Sequence, residues 1–228
     1  MGLGMWQWNA MWQDSVWWRT TVDDLVGMGI KEWLLKILDG TNQYNGDLLK
    51  PAVDYAKSKG IFVWVWGYEY PSLDDAKALA NRASALEANG IVIDAEKEWA
   101  TPNVIPAEFV QTIRMNYPGK IALSTYSAPS LHPEFPFLSF MKECDIGMPQ
   151  VYQTPQDVWS VRAQKEWLEF NKPVILTGLA DQYMGSTKDM LTFLQWCVFA
   201  EQRANLWCYD HLTNGMKSVI KEYAEEIP

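Results

Sequence analysis

Residues 90–99 are Gly-Ile-Val-Ile-Asp-Ala-Glu-Lys-Glu-Trp, an apolar run that ends in acidic residues. The run predicts a buried strand over residues 90–96, because strands buried on both faces are continuous hydrophobic stretches. Side chains alternate along a strand, so Asp94 and Glu96 share one face, about 6 to 7 Å apart along the chain. Two carboxylates at the carboxyl end of a strand are typical of an enzyme barrel.

Short β-rich runs alternate with helical patterns along the whole chain. Strands are predicted over residues 4–9, 33–39, 61–67, 90–96, 120–126, 144–151, 173–179 and 205–210. Helices are predicted over residues 47–59, 72–88, 106–116, 155–170, 187–203 and 215–225. Gly60 and Gly90 are predicted to end two helices in the left-handed conformation.

Eight strand-helix units in 228 residues give about 28 residues each, which favours one compact (β/α)8 TIM barrel domain over residues 1–228. A doubly wound open sheet is the alternative fold. That fold usually has fewer units and a glycine-rich phosphate turn after its first strand, whereas residues 6–10 here are Trp-Gln-Trp-Asn-Ala.

Composition excludes several classes of partner. With 48% hydrophobic and 14% aromatic residues, the chain can bury a substantial core. A formal net charge of −9 without a basic stripe argues against a nucleic-acid partner. We find neither an apolar run of about 18 residues nor a secretory signal pattern, so membrane insertion is not expected. The oligomeric state stays open.

Cysteine and histidine usage bears on compartment and metals. Cys144, Cys197 and Cys208 are scattered among apolar neighbours, which predicts buried, reduced thiols. His132 and His211 form no His-x-His pair and there is no Cys-x-x-Cys, so no metal site and no cofactor are expected. Both histidines are predicted to be surface or hydrogen-bonding loop side chains.

In a barrel, the carboxyl ends of the strands form one rim, which here is acidic and aromatic. Aromatic faces stack on sugar rings, and carboxylates and amides hydrogen-bond sugar hydroxyls, so the rim predicts a carbohydrate cleft. Besides Asp94 and Glu96, the predicted substrate-binding residues are Trp8, Asn9, Lys36, Asp39, Trp66, Tyr68, Glu69, Glu98, Trp99, Tyr126, Gln150, Tyr152 and Asp210. Trp207 is predicted to fill the core.

Asp94-x-Glu96 at the end of the fourth predicted strand resembles the catalytic motif of family 25 glycoside hydrolases, the lysozyme-like muramidases. It resembles more loosely the chitinases, whose fourth strand also ends in Asp-x-Glu. Residues 36–40, Lys-Ile-Leu-Asp-Gly, are similar to the Lys-x-Thr-Glu-Gly ending of the muramidase second strand, and residues 67–70 lie where that family has Gly-x-Tyr-His-Phe. Residues 148–152, Met-Pro-Gln-Val-Tyr, are similar to the sixth strand of chitinases.

The resemblance implies a hydrolase of β-1,4-linked N-acetylated glycans such as peptidoglycan, in the setting of a phage lysin or virion component. Glu96 is then expected to be the general acid, with a pKa raised by Asp94 and by partial burial. An ionised Asp94 would stabilise the transition state or orient a substrate acetamido group. Lys36 is expected to pair with Asp94.

One departure from the family keeps alternatives open. Muramidases have an active-site Asp on the first strand, where this chain offers Asn9 and, from the eighth strand, Asp210. A catalytically inactive barrel that binds glycan or serves as a structural component is therefore the second hypothesis. A lyase or aldolase that uses Lys36 as a Schiff base is the third.

Overall fold

The computed structural model describes residues 2–9, 14–44, 46 and 48–228. Its strands are β1 (Gly4–Gln7), β2 (Glu32–Asp39), β3 (Asn42–Gln43), β4 (Phe62–Tyr68), β5 (Gly90–Asp94), β6 (Lys120–Tyr126), β7 (Ile146–Val151), β8 (Leu176–Leu179) and β9 (Ala204–Trp207). All but β3 run parallel, and the pairing of β1 with both β2 and β9 closes them into a barrel. The predicted (β/α)8 fold is confirmed.

Helices cover the outside of the barrel. They are α1 (Ser15–Gly27), α2 (Leu49–Ser58), α3 (Leu73–Ala85), α4 (Pro106–Asn116), α5 (Phe137–Met141), α6 (Gln156–Leu168), α7 (Thr187–Phe199) and α8 (Asn214–Tyr223). Hydrogen-bonding caps start several of them, as at Ser72 of α3 and at the capping box of Ser186 and Asp189 on α7. None of the helices in the described ranges is long and apolar enough to cross a membrane.

The predicted element boundaries differ from the structure mainly at the strand ends. The strand predicted over residues 90–96 ends at Asp94, although the Ala95 N–H still donates to the Ser124 carbonyl at 3.1 Å. The strand predicted over 205–210 ends at Trp207, and a short 3-10 turn follows. The helix predicted from residue 47 begins at Leu49, and Asp47 itself lies outside the described residues.

Two apolar layers hold the barrel together. Inward side chains such as Trp6, Trp64 and Val92 fill its interior, and outward ones such as Ile91 and Ile93 pack against the helices. The three cysteines are buried free thiols, as predicted. The interior is therefore solid below the mouth, and the carboxyl ends of the strands are the place where a ligand can enter.

The predicted glycine caps have different outcomes. Gly60 follows α2 with a φ of +82°, so that prediction is confirmed. The prediction for Gly90 is wrong, because Gly90 lies in β5 and the left-handed turn before that strand is formed by Glu87, with a φ of 53°. Glycine is required at position 90 for a packing reason, since an added Cβ would lie 2.2 Å from the Trp64 ring.

Gly90→Ala should therefore lower the free energy of unfolding by about 1–3 kcal/mol through overpacking. The Trp64 ring cannot easily yield, because its Nε1 donates to Glu32 Oε2 at 2.7 Å. Urea denaturation measures the change. Gly27→Ala is the control, because an added Cβ there meets nothing within 4 Å. Equal midpoints for the Gly90 variant and wild type would contradict this packing account.

Candidate active site

Alternation along β5 places the acidic pair at the mouth of the barrel. Val92 packs inside the barrel, so Asp94, two residues later, also faces inward and is only 5% exposed. Glu96 lies just beyond the strand end and is partly exposed. The deeper carboxyl is therefore shielded from solvent, while the outer one can meet a ligand.

Gln150 on β7 connects the two carboxyls. Its Nε2 donates to Asp94 Oδ1 at 2.9 Å and to the Ser124 hydroxyl at 3.2 Å. Gln150 also lies near Glu96 and opposes the rise in the pKa of that carboxyl. The amide thus fixes Asp94 beside Glu96, and the structure brings together three of the predicted site residues.

Burial controls the charge of the pair. It raises the pKa of Asp94 well above the usual range, Glu96 adds to the shift, and Lys36 and Gln150 oppose it. Burial also raises the pKa of Glu96, followed by the charge of Glu98. Burial therefore opposes the ionised Asp94 that the sequence predicts. The pair retains a proton above the pH at which free carboxylic acids ionise.

Tyrosine and tryptophan side chains surround the pair. Tyr152 is half-buried with its phenol near both acids, and desolvation, followed by the charge of Asp94, raises its pKa. Its ring lies 6.2 Å from that of Trp207, which is partly exposed rather than a pure core residue as predicted. Tyr126 is half-buried and stacks on His132 at 3.8 Å. Alternation along β9 places Trp207 on the inward face, and this was the sequence signal that it belongs to the mouth of the barrel.

Lys36 lies on the β2 side of the mouth and forms its ion pair with Asp39, at 2.9 Å, instead of the predicted pair with Asp94. A bulge follows Lys36 in the pairing of β2 with β4, and Asp39 lies just past it. The ammonium also lies over the rings of Tyr44, at 4.6 Å, and Trp66, at 5.1 Å. An amine held in this way suits a positioning charge better than a Schiff-base nucleophile.

The rim beside β4 is formed by predicted residues too. The Tyr68 hydroxyl donates to Glu98 Oε2 at 2.7 Å. Glu98 belongs to the 3-10 turn Lys97–Trp99 directly after the acidic pair. This contact fixes the turn next to Glu96.

Two of the predicted cleft tryptophans do not line the cleft. Trp66 fills the barrel interior, and its Nε1 donates to the carbonyls of Gln7 and Leu34 at 3.2 Å. Trp99 faces outward, where its ring packs on Phe109 and its Nε1 donates to the Glu69 carbonyl. Both predictions are wrong because the rings are buried in apolar layers.

Trp8, Asn9 and Asp210 meet where the first and last strands close the barrel. Asp210 Oδ2 accepts the backbone N–H groups of Trp8, at 2.8 Å, and of Asn9, at 3.2 Å. The carboxylate thus joins the two strand ends. Trp8 is 41% exposed and is available to a ligand.

Glu69 is the predicted rim residue whose position differs most from expectation. Its side chain folds over Gly67, where an added Cβ would lie 2.0 Å from Oε1, on the outward face of β4. It is fully buried, and neither carboxyl oxygen has a hydrogen-bond partner in the part of the chain that the structure describes. Burial, followed by Asp75 and Asp94, raises its pKa well above the ordinary 4.5.

Glu69→Gln should therefore change how stability depends on pH. A carboxyl whose pKa is raised by folding contributes stability that is complete below its unfolded pKa and is lost as pH rises through its folded pKa. Wild type should lose stability relative to the variant as pH rises from the ordinary value of 4.5 to the raised pKa of Glu69. Thermal unfolding across pH measures this, with the exposed Glu222→Gln as control. Parallel curves for wild type and Glu69→Gln would contradict it.

No family model matches the chain, and no curated protein matches it. Several solved structures match the chain. The endo-1,4-β-mannanase of Rhizomucor miehei has a TM-score of 0.73 at 10% identity, over 99% of this chain and 94% of that one. A chitinase of the same fungus has a TM-score of 0.69 at 9% identity, over 98% and 100%. The Bacillus cereus spore cortex-lytic enzyme SleL has a TM-score of 0.67 at 6% identity, over 98% and 74%. At these identities the similarity shows a shared barrel fold.

Proposed function

We propose that this protein is a glycoside hydrolase that cleaves β-1,4-linked N-acetylated glycans such as peptidoglycan. The observation that carries the proposal is the pair of carboxyls at the mouth of the barrel, in which Asp94 is buried and bonded by Gln150 and Glu96 is partly exposed. The names of the three similar structures, a mannanase, a chitinase and a cortex-lytic enzyme, support an activity on glycans. Chitin and peptidoglycan both contain N-acetylated sugars, which favours that substrate class.

Glu96 is the general acid in this proposal. It is the outer member of the pair, so its carboxyl can reach the glycosidic oxygen of a bound sugar. Its raised pKa lets it keep a proton at higher pH than an ordinary glutamate does. Protonation of the leaving oxygen by Glu96 lets the glycosidic bond break with an oxocarbenium-like transition state.

Asp94 assists Glu96 from its deeper position in the barrel. A proton shared by the pair favours Asp94, because that carboxyl is more deeply buried. When the proton resides on Glu96, the Asp94 carboxylate can accept the N–H of a substrate acetamido group. It can also stabilise the positive charge that develops as the acetamido oxygen attacks the anomeric carbon. The neutral phenol of Tyr152 can donate a hydrogen bond to that acetamido oxygen.

Aromatic groups at the mouth supply stacking surfaces. Trp207 is partly exposed beside Tyr152, and Trp8 is exposed on the same side of the barrel. Tyr68 and Tyr126 flank the acidic pair on the other side. We assign these rings to sugar binding.

The pH dependence of kcat/KM tests the acid role. Activity should persist above the pH at which free carboxylic acids ionise, about 4 to 5, and fall as pH rises through the raised pKa of the pair. The charge of Glu98 raises the pKa of Glu96, so Glu98→Gln should shift this alkaline limb to lower pH. Full profiles of both proteins measure the shift, and a limb that moves to higher pH would contradict the assignment.

The experiment for the function itself is reducing-end release by the full chain from peptidoglycan, chitooligosaccharides and mannan. Cleavage of the N-acetylated substrates supports the proposal, and cleavage of mannan alone would overturn the substrate class. Binding without cleavage of any glycan would favour the catalytically inactive barrel. That barrel is the second candidate because the first strand has no carboxylate at Gln7 or Asn9.

A further inference from the structure

A second group of ligand-type side chains lies at the mouth, after strands β8 and β9. Asp181 follows β8, Cys208 follows β9, and His211 belongs to the 3-10 turn Tyr209–His211. His211 Nδ1 lies 2.5 Å from Asp181 Oδ2 and 3.7 Å from Cys208 Sγ. One ligand atom from each residue falls within 4.8 Å of the other two.

The surroundings of this cluster combine burial with access. Asp181 is 1% exposed and Cys208 is fully buried, whereas the His211 side chain is 24% exposed between the rings of Trp8 and Tyr183. The Tyr183 N–H donates to Asp181 Oδ1 at 2.8 Å, which leaves Oδ2 directed at the imidazole. An ion can therefore reach the buried ligand atoms from the His211 side.

The geometry does not suit nucleophilic catalysis. In a Cys-His-acid triad the imidazole contacts the thiol and the acid through different nitrogens. Here both partners lie at Nδ1, so His211 cannot relay a proton from Cys208 to Asp181. Convergence of sulfur, nitrogen and oxygen on one point is instead what a metal ion requires.

We propose that Asp181 Oδ2, Cys208 Sγ and His211 Nδ1 bind a divalent transition-metal ion of the zinc class. A mixed set of one thiolate, one imidazole and one carboxylate suits Zn²⁺, with a fourth position left for water. Binding forms a metal–sulfur bond and releases the thiol proton to solvent. The imidazole binds as the neutral tautomer protonated on Nε2, and the Asp181–His211 hydrogen bond opens to admit the ion.

The sequence contains a signal for this site, since Cys208-x-x-His211 is a ligand spacing. The third ligand comes from the preceding strand, and only the barrel brings it close. The metal site stands independently of the proposed glycan hydrolysis, because metal binding is measured without substrate.

Cobalt titration of the full chain, after chelator treatment, tests the proposal. One Co²⁺ per chain should produce a thiolate-to-cobalt charge-transfer band, and Zn²⁺ should displace it. Cys208→Ser and His211→Gln should each abolish the band. Cys197→Ser should keep it, because Cys197 is another buried free thiol but lies on α7.

Two results would overturn the proposal. One is the absence of a thiolate band in wild type, and the other is a band that persists in the folded His211→Gln variant. Circular dichroism checks the folding of each variant. If Cys208→Ser does not fold, His211→Gln decides the question alone, because this partly exposed side chain lies outside both apolar layers.

Discussion

Replacing Glu96 with Gln should lower kcat on an N-acetylated oligosaccharide by roughly 10²–10⁴-fold, the usual contribution of a general acid. Gln keeps the shape of the side chain, but it has no acidic proton to give to the leaving oxygen. The KM should change far less than kcat, because the lost interaction belongs to the transition state. Steady-state kinetics on a chitooligosaccharide measures both constants.

The matched control for this variant is Glu222→Gln, an exposed glutamate on α8 far along the chain from the pair. It should retain wild-type kcat. Circular dichroism and the unfolding temperature should be the same for all three proteins. A folded Glu96→Gln protein with wild-type kcat would remove Glu96 from the role of general acid.

Asp94→Asn should lower kcat by roughly 10²–10³-fold, the range seen when one preorganised electrostatic group is removed. An amide can still accept the Gln150 hydrogen bond that holds Asp94, so the site should keep its shape. It cannot carry the negative charge that the proposed acetamido attack needs. Kinetics on an N-acetylated oligosaccharide measures the loss.

Stability separates this effect from misfolding. Burial disfavours a charged Asp94, so Asp94→Asn should be as stable as wild type at neutral pH, or more stable. The exposed Asp54→Asn is the control for the substitution itself. Loss of both folding and activity in Asp94→Asn would contradict the account, as would full activity in a folded variant.

The fold was predictable from the sequence because its signals are local. Each barrel strand is a short apolar run, and the Asp94-x-Glu96 pattern ends one of them, so period-two alternation alone places both carboxyls toward the mouth. Gln150 and Tyr152 follow the same rule on β7. A strand pattern therefore predicted the acidic pair and the amide that bonds Asp94.

The errors arose where a side chain's depth or tilt decides its role. Trp66 faces the barrel interior, as a site residue would, but it is buried in the apolar layer below the mouth. Glu69 and Trp99 follow strand ends closely, yet both side chains turn outward to the helix layer. Residue spacing predicts the face of the strand on which a side chain lies, but not how deeply that side chain is buried. The depth depends on tertiary packing against neighbouring rings.

Protonation was beyond sequence analysis for the same reason. The charge of Asp94 depends on its burial and on the contacts of Lys36, which the bulge in β2 aligns with Asp39. The Asp181 contact with His211 similarly joins residues 30 positions apart in the chain.

Hydrolysis of a matched pair of substrates tests the central claim most directly. Wild-type protein is incubated with an N-acetylglucosamine oligosaccharide and with the same oligosaccharide after removal of its acetyl groups, and mass spectrometry follows the products. The account predicts shorter oligosaccharides from the acetylated substrate only, because Asp94 and Tyr152 act through the acetamido group. Equal cleavage of both substrates would contradict the acetamido mechanism, and cleavage of neither would contradict the proposed hydrolase.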